Sequence, residues 1–450
     1  MLFKTRLMKA NCPSRNESRD RISKIYRRFE GKRIIKISRL SGFKQRERGK
    51  ISAKRLILGF MTMVSRKMNT YEAWAQEISL SAHLSVSKQA IEERMNPKTT
   101  NMLKMVLADE LEKSLSSKHR QLSQASQAFR SIHIEDSTIF NLPSELSFAF
   151  PGNVSSGKKK SQAKVHALYN YTNNTFGFLD LYSFTRNDQS LSSRIISFIQ
   201  PGDLILRDMG FLVLDVLDQI NAQGGFFISR KSYQIQVFDL KTHQEINLIE
   251  TLRKKNFFDK EVLVGKTKKI KMRLVVIPVP PDQASSRRRK AKKDRDKRTK
   301  HDQGYYELLG YNIFITNLAQ THFLPEQIQE FYGLRWQIEI IFKTWKSCFS
   351  MEKLMPAKCI NPYRIYCQIY LWLVFILLFQ TAWYNHYLDK PNINYNLSIL
   401  KMGRFFSLHF DRIIAENNED FIRTLIISKC SYDRRKDRLN MGQKYEKIAA

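Results

Sequence analysis

The segment FYGLRWQIEIIFKTWKS (331–347) sets a phenol, three cations and one carboxylate into a mostly apolar run: Tyr332, Arg335, Glu339, Lys343 and Lys346. At 100° per residue all five fall within about 80° of arc on a helix. Leu334, Ile338, Ile341, Phe342 and Trp345 fall on the apolar side. An ordinary amphipathic helix would explain the Glu339–Lys343 pair, which at i,i+4 contributes only ~0.2–0.5 kcal/mol. It would not explain a polar stripe this narrow, with Trp336 and Ile340 on its other flank. A lone carboxylate among phosphate-binding donors is what metal-dependent phosphodiester chemistry needs. The acid holds the cation, while the guanidinium, ammonium and phenol groups clamp phosphates.

The elements around this segment can be read from periodicity. RSIHIEDSTIF (130–140) alternates as a strand, with Ile132, Ile134 and Asp136 on one face and Glu135 on the other. KVHALYNYTNNTFGFLDLYSF predicts a hairpin turning at Asn173-Asn174. LSSRIISFIQ predicts a short helix, GDLILRD a buried strand ending at Asp208, GFLVLDVLDQINAQGG a helix and FFISR a further strand. Strands alternating with helices argue for an α/β layer. Residues 231–303 are strand-rich and end in SSRRRKAKKDRDKRTK, where ten of the fourteen residues from Arg287 to Lys300 are Lys or Arg. That run predicts a loop, and its density suits phosphate tracking. LPEQIQEFYGLRWQIEIIFKTWKS predicts one long helix. Upstream, Ala73, Ala75, Ile78, Leu80 and Leu84 suggest a short helix and turn, with Ser87 capping SKQAIEERM; the pair resembles a helix-turn-helix. Ile22, Ile25, Tyr26 and Phe29 fall at helical spacing within a basic N-terminal arm.

Composition narrows the partners. Lys and Arg number 76 against 42 acids, a formal net charge of +34. A cation excess of this size attracts polyanions, nucleic acid first and an anionic membrane second. Five scattered cysteines (Cys12, Cys348, Cys359, Cys367 and Cys430) without a CxxC pair argue against a disulfide framework or zinc site, and for a reducing cytoplasm. The N-terminal MLFKTRLMKANC lacks the apolar run of a secretory signal. IYCQIYLWLVFILLFQTAWY (365–384) is uncharged and long enough to span a bilayer. Gln368, Gln380 and Thr381 interrupt it, and bases flank both ends, so a buried core helix is the expected reading. A membrane-anchored basic protein is the rival.

Tyr332, two residues, Arg335, three residues, Glu339, six residues, Lys346 resembles the Y-R-E-K signature of bacterial insertion-sequence transposases of the "insertion sequence four" family, which are DDE enzymes. The resemblance covers about 130–385. It implies an RNase H-like mixed sheet flanked by helices, with two catalytic aspartates on strands. Asp136 in D-S-T and Asp208 in D-x-G-F match the family's residue types and order, and the long interval before Glu339 matches its β-rich insertion. The implied organisation is a basic arm (1–50), a helical DNA-binding region (51–128), catalytic domain (129–232), insertion with basic loop (233–302), catalytic domain resumed (303–385) and a basic tail (386–450). Asp136, Asp208 and Glu339 would be the catalytic and metal-binding acids. Two Mg2+ ions, with Mn2+ able to substitute, would sit ~3.5–4 Å apart. Tyr332, Arg335, Lys343 and Lys346 would bind DNA, as would Arg287, Arg288, Arg289, Lys290, Lys292 and Lys293 of the basic run.

The expected function is DNA transposase: endonucleolytic cutting of the ends of its own mobile element and joining of them to target DNA. The partners are double-stranded DNA and a second copy when ends are paired, with no membrane. The place is the bacterial cytoplasm at the nucleoid. The alternative is a catalytically silent, transposase-derived DNA-binding protein. Asp188 is expected to cap a helix. Lys164 and His166 match a K-x-H element of relatives, with the histidine expected to be structural. All five tryptophans lie outside the insertion, and Tyr305, Tyr306 and Tyr311 are the aromatic substitutes for holding the flipped base that some relatives hold there.

Overall fold

A computed structural model describes residues 29, 31–44, 49–116, 128–155, 157–293, 302–353, 355–384, 397–415 and 419–432. Expectations placed on 1–28, on 294–300 of the basic run and on 433–450 lie outside the described residues. The chain divides into two compact units, 1–110 with 344–432, and 111–343 with 433–450.

The first unit opens with α1 (Lys32–Leu40), α2 (Ala53–Ser65), α3 (Tyr71–Ala82) and α4 (Lys88–Glu92), followed by α5 (Pro97–Ser116), whose end passes the division. Helix starts follow hydroxyl caps. Ser52, Thr70 and Ser87 accept from the backbone N–H groups of Arg55, Ala73 and Ala90. Part of the basic arm is thus a folded helix, with Ile34 and Ile37 buried. On α3 the buried anchor is Trp74, which donates to the Leu56 carbonyl, whereas Leu80 is exposed.

The second unit is built on one ten-stranded sheet. Its elements are β1 (Ser131–Leu142), β2 (Pro151–Ser155), β3 (Lys158–Asn170), β4 (Thr175–Ser183), α6 (Asp188–Leu191), β5 (Asp203–Arg207), α7 (Leu214–Ala222), β6 (Phe226–Arg230) and β7 (Val237–Asp239). There follow α8 (Leu248–Lys255), β8 (Phe258–Val264), β9 (Ile270–Pro278), α9 (Pro281–Lys292), α10 (Gln303–Leu308), β10 (Tyr311–Thr316), α11 (Pro325–Gly333) and α12 (Trp336–Ser347). The strand order is β2-β3-β1-β5-β6-β10-β9-β8-β7, with β4 also on β3. β1 is antiparallel to β3 and parallel to β5, and β5 is parallel to β6. This is the RNase H-like mixed α/β arrangement the sequence implied. The insertion is not a separate layer. β10 returns antiparallel to β6, and β9, β8 and β7 extend the same sheet, so the open edge of β6 is covered.

Two expectations are corrected. The long helix is two helices, because the chain turns at Leu334 and Arg335, just after Gly333. There the backbone bonds reach three residues back instead of four: Leu334 N–H to the Phe331 carbonyl and Arg335 N–H to that of Tyr332, each at 3.0 Å. Glycine is a poor helix former, which makes this the weak point of the run. The basic run is not a loop as far as Lys292. Pro281 at the first position and Asp282 in the first turn start α9.

Beyond α12, the apolar stretch forms α13 (Pro362–Leu378), followed by α14 (Ile399–Ala415) and α15 (Glu419–Cys430). Pro362–Thr381 is long and apolar enough to cross a membrane, yet 78% of its window is buried. Trp372 meets Phe60 of α2, Cys367 meets Thr100 of α5, and Phe375 meets Phe406 of α14. The segment therefore groups with the N-terminal helices, rather than with the sheet as the implied boundary at 385 had it. An all-round apolar helix buries itself where helices surround it.

Behind β1 and β5 lies a fully buried polar network. Glu135 pairs with Arg207 at 2.7 Å and with His166 of β3 at 3.0 Å, and Arg207 donates to the Ser192 carbonyl at 3.0 Å. Glu135 and Arg207 are register partners, so one ion pair ties the two central strands. Removing one partner of a buried pair costs about 3–5 kcal/mol. Glu135→Ala should lower the unfolding free energy by that amount in urea titrations; a loss below ~1 kcal/mol would mean that the pair does not hold the sheet centre.

Candidate active site

The network places the acids. Glu135 and Arg207 share the face that carries the apolar core of Ile205, Phe227 and Ile315. The next residue on each strand must face the other way. Asp136, within β1 where its parallel pairing with β5 ends, and Asp208, just past the end of β5, therefore stand side by side on the opposite face of neighbours about 4.8 Å apart. Asp208 keeps extended backbone before the short turn at Met209–Phe211. That turn is anchored by Phe211, stacked on the His166 ring at 5.2 Å. The histidine is thus structural, and the phenylalanine of D-x-G-F has a packing reason to be there.

The third acid comes from helices over this face. Phe331 and Tyr332 of α11 are buried, and Tyr332 meets Phe314 of β10 at 5.1 Å between rings. Arg335, at the break, donates to Asp136 Oδ2 at 3.1 Å and to Glu339 Oε1 at 2.5 Å. Tyr332 Oη donates to Asp208 Oδ1 at 3.4 Å. The helix break is what aims Arg335 back over the strands. The apolar side holds as expected, with Leu334, Ile338, Ile341, Phe342 and Trp345 all buried.

Electrostatics at the site run short of positive charge. Burial pushes the Asp136 carboxyl up to about 7; the charges of Asp208 and Glu339 add to this, while the Ser137 N–H and Arg335 oppose it. Burial also raises the Tyr332 phenol, with Asp208 adding. Burial pulls Arg335 down, but the surrounding Asp208, Asp136 and Glu339 outweigh it and its pKa is raised. Among the described residues no three His, Cys, Asp or Glu side chains stand close enough together to hold one ion. Arg335 instead bridges two of the three carboxylates. Hard oxygen donors around a buried acid that resists ionisation suit a divalent cation of the Mg2+ or Mn2+ kind. Asp136, Asp208 and Glu339 carry donors of that kind, and a shared ion would have to displace Arg335 from Asp136 and Glu339.

Asp188 corrects an expectation: Asn187 caps α6 by accepting from Ser190 N–H. Asp188 Oδ1 accepts instead from Lys164 Nζ at 2.8 Å and from Ser137 Oγ at 3.0 Å. Its other oxygen would lie 3.3 Å from a Cβ placed on Gly210. It thereby touches the residue after Asp136 and the turn after Asp208, a brace whose sequence signal was only the K-x-H spacing. Lys343 is exposed, and Lys346 is half-buried on the last turn of α12. On α9, Arg287 donates to the Tyr311 carbonyl and Asn312 Oδ1, and Arg288 to the Tyr306 carbonyl. Both are committed to the fold, whereas Arg289, Lys290, Lys292 and Lys293 are exposed.

The family model described as "Transposase DDE domain" matches residues 127–376. The transposase for insertion sequence element IS231B of Bacillus thuringiensis subsp. berliner is 26% identical over 87% of this chain and 86% of its own length. The transposase for insertion sequence element IS1151 of Clostridium perfringens is 26% identical over 78% of each. Among solved structures, a piggyBac transposase synaptic complex with hairpin DNA matches 94% of this chain and 87% of its own, at 9% identity and a TM-score of 0.44.

In metal-free protein, ionising Asp136 works against the fold. Its carboxyl titrates near 7 when folded, against an ordinary 3.8. Between these values the native state holds a proton that the unfolded chain has released. Stability from this group is thus full below about pH 4 and lost as pH rises through about 7, at up to ~1.4 kcal/mol per pH unit. With chelator present, urea stability should fall more steeply from about pH 5 to about pH 7 in the wild type than in Asp136→Asn. Parallel profiles would show that this carboxyl is not held protonated.

Proposed function

Because the chain belongs to the transposase DDE domain family, we propose that it is a DNA transposase that cuts the ends of its own insertion sequence and joins them to target DNA. The observation that carries this reading is the convergence of Asp136 and Glu339 on Arg335, with Asp208 beside Asp136 and bonded to Tyr332. Three acids from two strands and a helix meet on one face, amid groups that bind phosphate. The names of its relatives, transposases for insertion sequence elements, support DNA as the substrate.

Asp136, Asp208 and Glu339 would hold divalent cations, two Mg2+ with Mn2+ able to substitute. When bound, these ions stabilise the attacking and leaving oxygens of an in-line displacement. Arg335 balances Asp136 and Glu339 in the free protein. With DNA present, its planar fork is suited to transfer a donor to a phosphate oxygen. Tyr332, with a phenol kept protonated by burial, donates to a phosphate oxygen. Lys343 and Lys346 offset phosphate charge, as do the exposed cations of α9. Two element ends must be paired, so the active assembly is a homodimer on DNA, working in the cytoplasm at the nucleoid.

A duplex carrying the gene's own flanks tests this. With Mg2+, the wild type should leave discrete nicks at the flank ends on a denaturing gel, and with Ca2+ none. Glu339→Gln should bind equally well. It should lose cleavage by more than the about 10–100-fold typical of changes to groups that merely support a ligand. Nicking by the variant would overturn the acid assignment, and binding without any cut by the wild type would favour the non-cutting DNA-binding protein. Replacing Arg289, Lys290, Lys292 and Lys293 by Ala should flatten the salt dependence of binding by up to about 3–4 units of log–log slope, about 0.9 per lost phosphate contact. An unchanged slope would remove the end of α9 from the interface.

A further inference from the structure

The strand next to the acids ends in a cation that the chemistry above leaves unused. Arg207 of β5 pairs with Ser229 of β6 in parallel register, so Arg230 stands beside Asp208 much as Asp208 stands beside Asp136. Alternation agrees: Phe227 lies in the core behind the sheet, which places Arg230 on the acid face. Its partner on β10 is Phe314, whose ring meets Tyr332. The Arg230 side chain is half-buried. Among the described residues it makes no ion pair or side-chain hydrogen bond, even with the neighbouring Asp208.

A second guanidinium reaches the same place. Arg287 of α9 donates at 3.1 Å to the Tyr311 carbonyl and at 2.8 Å to Asn312 Oδ1, both neutral acceptors. Asn312 is itself steadied by donating to Gln329 of α11. Burial lowers the pKa of Arg287, and the charge of Arg230 lowers it further, so the two cations repel one another. Partly desolvated guanidiniums without a carboxylate are costly alone and are stabilised by an anion with several acceptor oxygens. From Arg287 the same helix runs on to the exposed Arg289, Lys290, Lys292 and Lys293.

Building on the transposase reading, we propose that Arg230, backed by Arg287, seats a DNA backbone phosphodiester next to the one that is cut. This seat is the first step of a cationic track from the acid cluster to the end of α9. The guanidinium fork takes two non-bridging oxygens, and the neighbouring acids keep phosphate from settling on Asp208 itself.

The test measures binding without cleavage. The probe is the flank duplex in Ca2+, titrated against wild type, Arg230→Gln and Arg230→Lys over a range of KCl. Arg230→Gln should bind about tenfold more weakly at low salt, with its log–log slope reduced by about 0.9, the value of one phosphate contact. Arg230→Lys should keep the slope and recover part of the affinity. Neutral methylphosphonate linkages are then walked singly along each strand. The wild type should lose affinity at one linkage adjacent to the cut bond, and Arg230→Gln should be indifferent there alone. Identical slopes and identical walks for wild type and Arg230→Gln would overturn the seat, even if Mg2+-dependent nicking is intact. A walk that shows the seat while the wild type never nicks would instead count against the cutting reaction and leave the seat standing.

Discussion

The active face depends on what is buried behind it. The pair between Glu135 and Arg207, fully removed from water, joins the two parallel strands whose next residues are Asp136 and Asp208. Side chains alternate along a strand, so a slip of one residue would send an acid into the core and a core residue to the surface. A buried charge without its partner is costly enough to forbid that slip. His166 extends the constraint to β3, and by stacking on Phe211 it also fixes the turn that follows Asp208.

The two faces handle charge in opposite ways. Behind the central strands the charges of Glu135 and Arg207 are matched inside the protein. In front, three acids share Arg335 and a phenol, and Asp136 resists ionisation. That imbalance leaves the acid cluster ready for cations from outside. The guanidiniums of Arg230 and Arg287, one strand away, are short of negative charge instead. A metal-loaded phosphodiester brings both missing signs at once, which gives physical sense to their juxtaposition. The larger excess, +34 over the chain, draws DNA from a distance, while these local imbalances decide where it rests.

Departures from the sequence reading have definite causes. A helical wheel assumes constant rotation, so it missed the turn at Leu334–Arg335; yet Arg335 and Glu339 still meet, because both lie beyond or at the break. Density of charge suggested a loop from Arg287 onward, but Pro281 and Asp282 start a helix that runs to Lys292, and Arg287 and Arg288 bond neighbouring carbonyls and the Asn312 side chain. Asp188 has the residue type of a cap, and Asn187 occupies that place one position earlier, which releases Asp188 to brace two turns. Strand-rich patterning anticipated β8 and β9 but read the start of α8 as strand, and it carried no sign that these strands would lengthen the catalytic sheet.

By itself the sequence determined what local chemistry and periodicity can encode. These are the strand that carries Asp136 and the one that leads to Asp208, the apolar side of α12, the Ser87 cap of α4, the core character of 365–384 and the attraction to polyanions. Spacing within Y-R-E-K pointed to the family because it is short and local. Tertiary structure decided what depends on pairing between distant segments: the register that sets Asp208 against Asp136 and Arg230 against Asp208, the approach of Lys164 to Asp188, and the reach of Arg287 from α9. Register is a relation between two strands, settled by which buried charges find partners, and no single stretch of chain contains it.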